Sequence, residues 1–267
     1  MSRIERVFKK LESKRAALIP FVVAGDPDLK TTESLILKTA ECGADIIELG
    51  VPFSDPLADG PTIQKASQRA LKNGVNLKGI FRMAERLKGI PTPLILMTYF
   101  NPVFQYGVKN FAEDCVRHGF DGVIIPDLPP EEAGPWVREA KRFKLSTIFL
   151  VAPTSPPDRV RLASRHSRGF LYYVSITGVT GTRGRLPEVL GAAIGQIRKY
   201  SRKPVAVGFG ISTPEQAKEM SRIADGVIVG SAIVKLIEEN LGKPDLVVRV
   251  GSFVSSLARA LEFETFD

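Results

Sequence analysis

Three observations predict an α/β fold, a single (β/α)8 TIM barrel with an extra N-terminal helix. Eight short apolar runs alternate with helical patterns. Each run is nearly continuously apolar, as strands covered on both faces are. No Pro- or Ser-rich linker divides the 267 residues, so residues 1–267 are expected to form one domain, a length such barrels routinely reach. A doubly wound open sheet is the alternative reading of the same alternation.

The elements follow in order. MSRIERVFKKLESKRAA places Ile4, Val7, Phe8 and Leu11 on one face among charges, which predicts a short amphipathic helix and not the apolar core of a signal peptide. Strands are expected at 17–24 (ALIPFVVA), 44–49 (ADIIEL), 93–99 (PLILMTY) and 121–126 (DGVIIP). Four more are expected at 146–151 (STIFLV), 170–176 (FLYYVSI), 204–208 (PVAVG) and 225–229 (DGVIV). Helical patterns occupy 31–42, 62–73, 77–88, 110–117, 131–143, 157–166, 187–200 and 214–221, and VGSAIV opens a short helix after the last strand. No apolar run approaches the roughly 18 residues of a membrane span.

Composition narrows the function. The net charge of +8 is spread along helices, as in KKLESKR and EAKRFK, and is not gathered with aromatics, which argues against nucleic acid. The two cysteines, Cys42 and Cys115, have no metal-ligand spacing, and a reducing cytoplasm is their simplest setting. His118 and His166 fall in helical or connecting segments, away from any hydrolytic relay or zinc site. No lysine lies in a strand interior, where a Schiff-base aldolase would need one, and no dinucleotide glycine fingerprint occurs. No metal site is expected.

In such barrels the site lies at the C-terminal ends of the strands. There the early loops carry acids and aromatics. ADIIELG places Glu48 within a buried strand, and VPFSDPLADGP places Asp55 and Asp59 on the loop after it. An ionised carboxylate in that strand costs several kcal/mol unless paired, so Glu48 is either a structural ion pair or a catalytic acid. Asp59 precedes Gly-Pro and fits a helix N-cap, which does not exclude catalysis. Asp26 and Asp55 precede prolines and fit turn residues. Asp127 either orients a substrate N–H or holds its loop. Phe21, Tyr99, Phe100, Ile124, Tyr172 and Phe209 lie near strand ends and could line an apolar ligand. The late loops are rich in glycine: Gly178, Gly181 and Gly184, then Gly208 and Gly210, then Gly230 with Ser231. Together they suggest a backbone cradle for phosphate at helix N-termini, with Ser212 or Thr213 capping a helix that starts at Pro214. The chemistry left is acid–base work by carboxylates on a phosphorylated substrate with an apolar part.

The motif ELGVPFSDPLADGPTIQ resembles the signature of the tryptophan synthase alpha chain, and PFVVAGDP, PDLPPEE, SITGVTGTR and VGFGIS follow in that family's order over about residues 15–235. The resemblance implies a retro-aldol lyase that cleaves indole-3-glycerol phosphate to indole and glyceraldehyde 3-phosphate. It also implies docking on a beta subunit that carries pyridoxal phosphate, in an alpha2-beta2 complex, with no cofactor in this chain. By motif match it implies Glu48 and Asp59 as catalytic residues. Phe21, Tyr99, Asp127, Tyr172 and Thr180 would contact substrate, and Gly181, Gly210, Gly230 and Ser231 the phosphate. Arg183 and Arg185 make the loop after the sixth strand basic. Another phosphate-binding barrel enzyme of amino-acid biosynthesis and a catalytically silent regulatory barrel are the alternatives.

Overall fold

The computed structural model describes the chain apart from Ser13, residues 175–185, Phe209 and residues 263–267, and apart from the side chains of Leu186 and Pro187. In chain order it runs α1 (Arg3–Leu11), β1 (Ala17–Val23), α2 (Leu29–Glu41), β2 (Ile47–Gly50), α3 (Pro61–Lys72), α4 (Leu77–Arg86) and β3 (Leu94–Met97). There follow α5 (Phe100–Tyr106), α6 (Val108–Arg117), β4 (Gly122–Ile124), α7 (Gly134–Arg142), β5 (Ser146–Ile148), β6 (Leu150–Val151) and α8 (Pro157–His166). The chain ends with β7 (Leu171–Val174), α9 (Leu186–Tyr200), β8 (Val205–Gly208), α10 (Pro214–Ser221), β9 (Gly226–Val229), α11 (Ser231–Glu239) and α12 (Leu246–Leu261).

Every strand pair is parallel, in the order β5-β4-β3-β2-β1-β9-β8-β7-β6. The two ends of that order are pieces of one stretch, 146–151, parted only at Phe149, so the sheet closes on itself and the open-sheet alternative falls. The strand period of two then sorts the side chains. Leu18, Val22, Leu49, Leu96, Val123, Leu171, Val207 and Val229 pack in the outer core with residues of the helices. Ile19, Ile46, Ile95, Ile124, Ile148, Tyr172, Ala206 and Ile228 fill the interior.

The predicted N-terminal helix closes the lower end of this interior. Ser2 and Glu5 form a capping box: the Glu5 N–H donates to Ser2 Oγ (3.2 Å) and the Ser2 N–H to Glu5 Oε2 (2.6 Å). Ile4, Phe8 and Leu11 join the interior cluster, with Phe8 against Phe170 at 5.4 Å between ring centroids. None of the described helices is long and apolar enough to cross a membrane.

Two helices differ from expectation. TYFNP, read as a loop, is continued by α5, whose seven residues are too few for a clear period. In α12, Val250, Val254, Leu257 and Leu261 make a buried stripe against α2 and α10, but Gly251 and the serines between them dilute the pattern. Asp26 is also more than a turn residue. It is 1% exposed and bound on both oxygens by Arg69 of α3, at 2.8 and 2.9 Å.

Because Phe8 is a buried plug, Phe8→Ala should lower stability by about 3–5 kcal/mol. Urea unfolding measures it; a loss below about 1 kcal/mol would place the helix outside the cooperative core.

Candidate active site

Strand parity places the first acid. Glu48 lies two residues beyond the inward Ile46, so its side chain enters the barrel one layer nearer the C-terminal mouth. It sits in register between Phe21 of β1 and Ile95 of β3. Glu48 is wholly buried, and neither carboxylate oxygen has a hydrogen-bond partner among the described residues. Burial first, and then the nearby charge of Asp59, push its pKa up to about 8. Among the described residues Glu48 has no ion-pair partner, and its raised pKa favours the protonated form at neutral pH.

Asp59 reaches the same mouth from the β2–α3 loop. It is not the helix cap expected from sequence: the N-cap is Gly60, with no side-chain cap bond. Pro61 occupies the first helical turn, where its missing N–H removes one of the donors that a cap would serve. Asp59 is held instead from its surroundings. The Gln64 side chain donates to its carbonyl (2.8 Å), and the Tyr99 hydroxyl bonds its carboxylate while accepting the Ala58 N–H (3.0 Å). Burial raises the Asp59 pKa and the bond from Tyr99 lowers it. Asp59 is therefore half-buried and hydrogen-bonded where Glu48 is buried and bare. Two carboxyl groups in unlike settings hold their protons differently.

The aromatic groups pack round this pair. Tyr99 is 3% exposed and stacks on Phe53 at 5.2 Å. Tyr172 projects into the barrel, and its pKa is raised by burial first and then by the charges of Glu48 and Asp59. Two strand-end glycines make room for the rings. A Cβ on Gly50 would meet Phe21 Cζ at 2.6 Å, and one on Gly208 would meet Tyr172 Cε1 at 2.7 Å. Gly208, read from sequence as part of the phosphate cradle, thus serves the tyrosine. Val23, Ile63, Ser67 and Met97 line a small cavity with Phe21, Asp59 and Tyr99; sequence reading missed these four, since each also fits a packed core.

The remaining expected residues are more dispersed. Asp127 is exposed, and its Oδ1 accepts the Phe100 N–H (2.8 Å), so it secures the start of α5. Ile124 belongs to the barrel interior and Phe100 to the outer core. Gly230 is the N-cap of α11 and Ser231 its first residue, with no side-chain cap bond. Gly210 is exposed with φ +50°, a left-handed turn ahead of α10, and Thr213 rather than Ser212 caps that helix. Gly178, Thr180, Gly181, Arg183, Gly184, Arg185 and Phe209 lie outside the described residues. Among the described residues no three His, Cys, Asp or Glu side chains are grouped to hold a metal ion.

A larger cavity, of about 740 Å³, opens at the opposite end of the barrel. Lys9 and Arg198 in its wall belong to the last turns of α1 and α9. Lys14, Arg15, Arg202 and Lys203 also line it, against Glu5, Glu12 and Asp225, and that end of such barrels serves stability.

A closed parallel barrel with a buried glutamic acid beside a half-buried aspartate at the C-terminal ends of its strands has the layout of a barrel enzyme and can support acid–base chemistry. The chain belongs to the tryptophan synthase alpha chain family, whose model matches residues 8–261. It is 49% identical over 259 residues to the tryptophan synthase alpha chain of Geotalea daltonii, covering 96% of this chain and 98% of that one. The Geobacter sulfurreducens chain is 50% identical over 263 residues, covering 98% and 99%. Among solved structures, the alpha subunit from Legionella pneumophila superposes with a TM-score of 0.91 at 40% identity, covering 98% of each chain. A chain of tryptophan synthase from M. tuberculosis does so with a TM-score of 0.87 at 37% identity, covering 98% of this chain and 99% of that chain. The activity is that of a lyase, cleaving indole-3-glycerol phosphate to release indole. Alpha chains of this family work with beta chains, to which the pyridoxal phosphate belongs; the alpha chain carries no cofactor.

The Glu48 pKa also sets a stability dependence. A carboxyl group raised from 4.5 to about 8 on folding stabilises the fold fully below pH 4.5, and that contribution is lost as pH rises towards 8. Each pH unit in the window is worth about 1.4 kcal/mol. Glu48→Gln should therefore flatten the fall in unfolding free energy between pH 5 and 8, read by urea titration at several pH values. Parallel wild-type and variant curves would contradict the buried, unpaired carboxyl.

Proposed function

We propose that Glu48 moves the protons in this cleavage and Asp59 holds the positive charge it creates. The observation that carries the reading is the wholly buried Glu48 carboxyl, unpartnered among the described residues, whose pKa burial pushes up to about 8. Such a group has a proton to give at neutral pH and becomes a base once it has given it.

The reaction follows from where electrons can go. Breaking the bond between indole C3 and the glycerol chain requires an electron sink, which the ring supplies when C3 is protonated to an indolenine. Glu48 delivers that proton, and its carboxylate then accepts the proton of the adjacent glycerol hydroxyl. The hydroxyl oxygen forms the aldehyde, the C–C bond breaks towards the ring, and indole regains its aromaticity. Asp59 faces the ring nitrogen and stabilises its positive charge. That charge falls to Asp59 because Glu48 holds its proton more tightly in a drier setting. Tyr99 fixes the Asp59 carboxylate, and Tyr172, close enough to feel both acids, contacts the substrate. Phe21 lines the indole side, with Asp127 acting through the start of α5. Gly210, Gly230 and Ser231 take the phosphate, supported by the uncapped N-terminus of α11 and the left-handed turn at Gly210. Thr180 and Gly181 keep the substrate and phosphate roles that their motif implies.

Leu57, 87% exposed on the β2–α3 loop, and Phe104, 64% exposed on α5, stand on the same rim and suit the face that meets the beta chain. Residues 1–267 are read as one barrel domain, in an alpha2-beta2 complex, in the cytoplasm. The two free cysteines support that compartment.

Glu48→Gln should lower turnover of indole-3-glycerol phosphate by about 10²-fold or more while substrate still binds. Asp59→Asn should lose comparable activity with no loss of helix stability, because Gly60 and not Asp59 is the cap. Steady-state kinetics with thermal unfolding test both; a Glu48→Gln enzyme above about a tenth of wild-type turnover would remove the proton shuttle.

Gly210→Val should weaken inhibition by glycerol phosphate, since a branched side chain at φ +50° strains the turn. An unchanged inhibition constant would place the cradle elsewhere.

A further inference from the structure

Asp59 and the phosphate-side Gly230 and Ser231 stand at the starts of two separate helices, α3 and α11. The β2–α3 loop delivers Asp59, and α11 begins at the phosphate-side Gly230 and Ser231. One side chain spans both helices. Arg69 of α3 uses Nε and Nη2 to hold both oxygens of the buried Asp26 (2.8 and 2.9 Å), and Nη1 to hold Glu238 Oε1 of α11 (2.9 Å). Asp26 follows β1, so the fork ties the rim of a barrel strand to two helices at once. Asn73, one residue past the end of α3, repeats the tie to the β1–α2 loop by donating to the Pro27 carbonyl (2.7 Å). A guanidinium presents its donors in a fixed plane, so this geometry constrains direction as well as distance. Beneath it, Phe21 of β1 approaches Gly230 at 3.4 Å from the position of a Cβ, so little slack separates strand and helix start.

We infer that Arg69 is a positioning residue for the cleavage, setting α3 against α11 and thereby Asp59 against the phosphate-binding end of α11. The inference rests on the placement of Asp59 and Gly230–Ser231 in the substrate site. It assigns Arg69 no contact with substrate; its effect passes through the two helices. The Asp26 arm anchors the fork in the barrel, and the Glu238 arm carries the alignment to α11. Loss of the second arm alone leaves Asp26 paired and the rim folded.

The test uses Arg69→Lys, Glu238→Ala and the double variant in the full chain, with indole-3-glycerol phosphate as substrate and glycerol 3-phosphate as the probe of the phosphate end. Arg69→Ala is a poor choice, because it strands the buried Asp26 carboxylate. Glu238→Ala should raise KM and the glycerol 3-phosphate inhibition constant by about fivefold with kcat within about twofold, as α11 loses its register. Arg69→Lys, whose single ammonium cannot hold three oxygens in that plane, should also lower kcat about tenfold, since Asp59 shifts with α3. The double variant should be no worse than Arg69→Lys, because both act through one link. Lowered thermal midpoints with wild-type kcat and KM per folded molecule would make the fork structural only and overturn the inference, as would additive losses in the double variant. Glu48→Gln measured alongside separates the two levels: if it retains turnover, the proton-shuttle reading fails, while the glycerol 3-phosphate constants of Glu238→Ala still report on the fork.

Discussion

A carboxyl group buried among apolar side chains holds its proton. Glu48 meets that condition because strand parity turns it inward, beside a layer containing Ile46, Ile95 and Ile124, where charge is expensive. Everything else at the mouth is arranged with respect to that group. Asp59 must stay apart from it in kind, and the Tyr99 hydroxyl does this by bonding the aspartate and leaving the glutamate bare. The rings of Phe21 and Tyr172 must come close without displacing β2 or β8, and the absence of Cβ atoms at Gly50 and Gly208 allows it. A polar partner for Glu48 would lower its pKa and remove the proton from the place where it is useful.

The two ends of the barrel divide stability from chemistry. Below, α1 inserts Ile4, Phe8 and Leu11 into the interior, so the lower layers are held by close packing. Above, the strands are short. β2 ends at Gly50 and β3 at Met97, and the chain turns at once into loops held by a few polar side chains: Tyr99 and Gln64 for 58–59, Asp127 for the start of α5, Arg69 and Asn73 for the β1–α2 loop. A loop held by a few polar contacts moves more readily than a plug held by three apolar side chains, which suits a mouth that must admit a substrate.

Much of this was legible in the sequence because it follows from period and from chemistry that few residues can perform. Strand alternation placed all eight staves, and Glu48 stood out as an acid in an apolar run. What could not be read was tertiary. Asp59 looks like a helix cap because Asp before Gly-Pro usually is one, and only the position of Tyr99, forty residues on, shows where its carboxylate goes. Asp26 looks like a turn residue because Arg69 and Glu238 are remote in sequence. Gly208 looks like a phosphate glycine because the ring it accommodates comes from the neighbouring strand. Helix α12 is obscured by Gly251 and its serines, since its buried face was defined by α2 and α10 and not by its own composition. Local propensity fails where a partner across the fold decides the outcome.

The same dependence on remote partners lets a surface at the rim act on this site without entering it. Asp59 is joined to Leu57 by a single intervening residue, Ala58, whose N–H is bonded to the Tyr99 hydroxyl. Leu57 itself is almost fully exposed. Tyr99 in turn is the N-cap of α5, which carries the exposed Phe104. A surface that covers Leu57 and Phe104 therefore presses on both sides of one hydrogen bond, the bond that fixes the aspartate beside the protonated glutamate. Docking changes turnover to the extent that it binds the arrangement with that bond intact more tightly than the arrangement without it. By linkage, a ligand that draws Asp59 into place tightens docking by the same factor. A surface on that face need supply no catalytic group to change turnover; shifting the population of a geometry already encoded in this chain is enough.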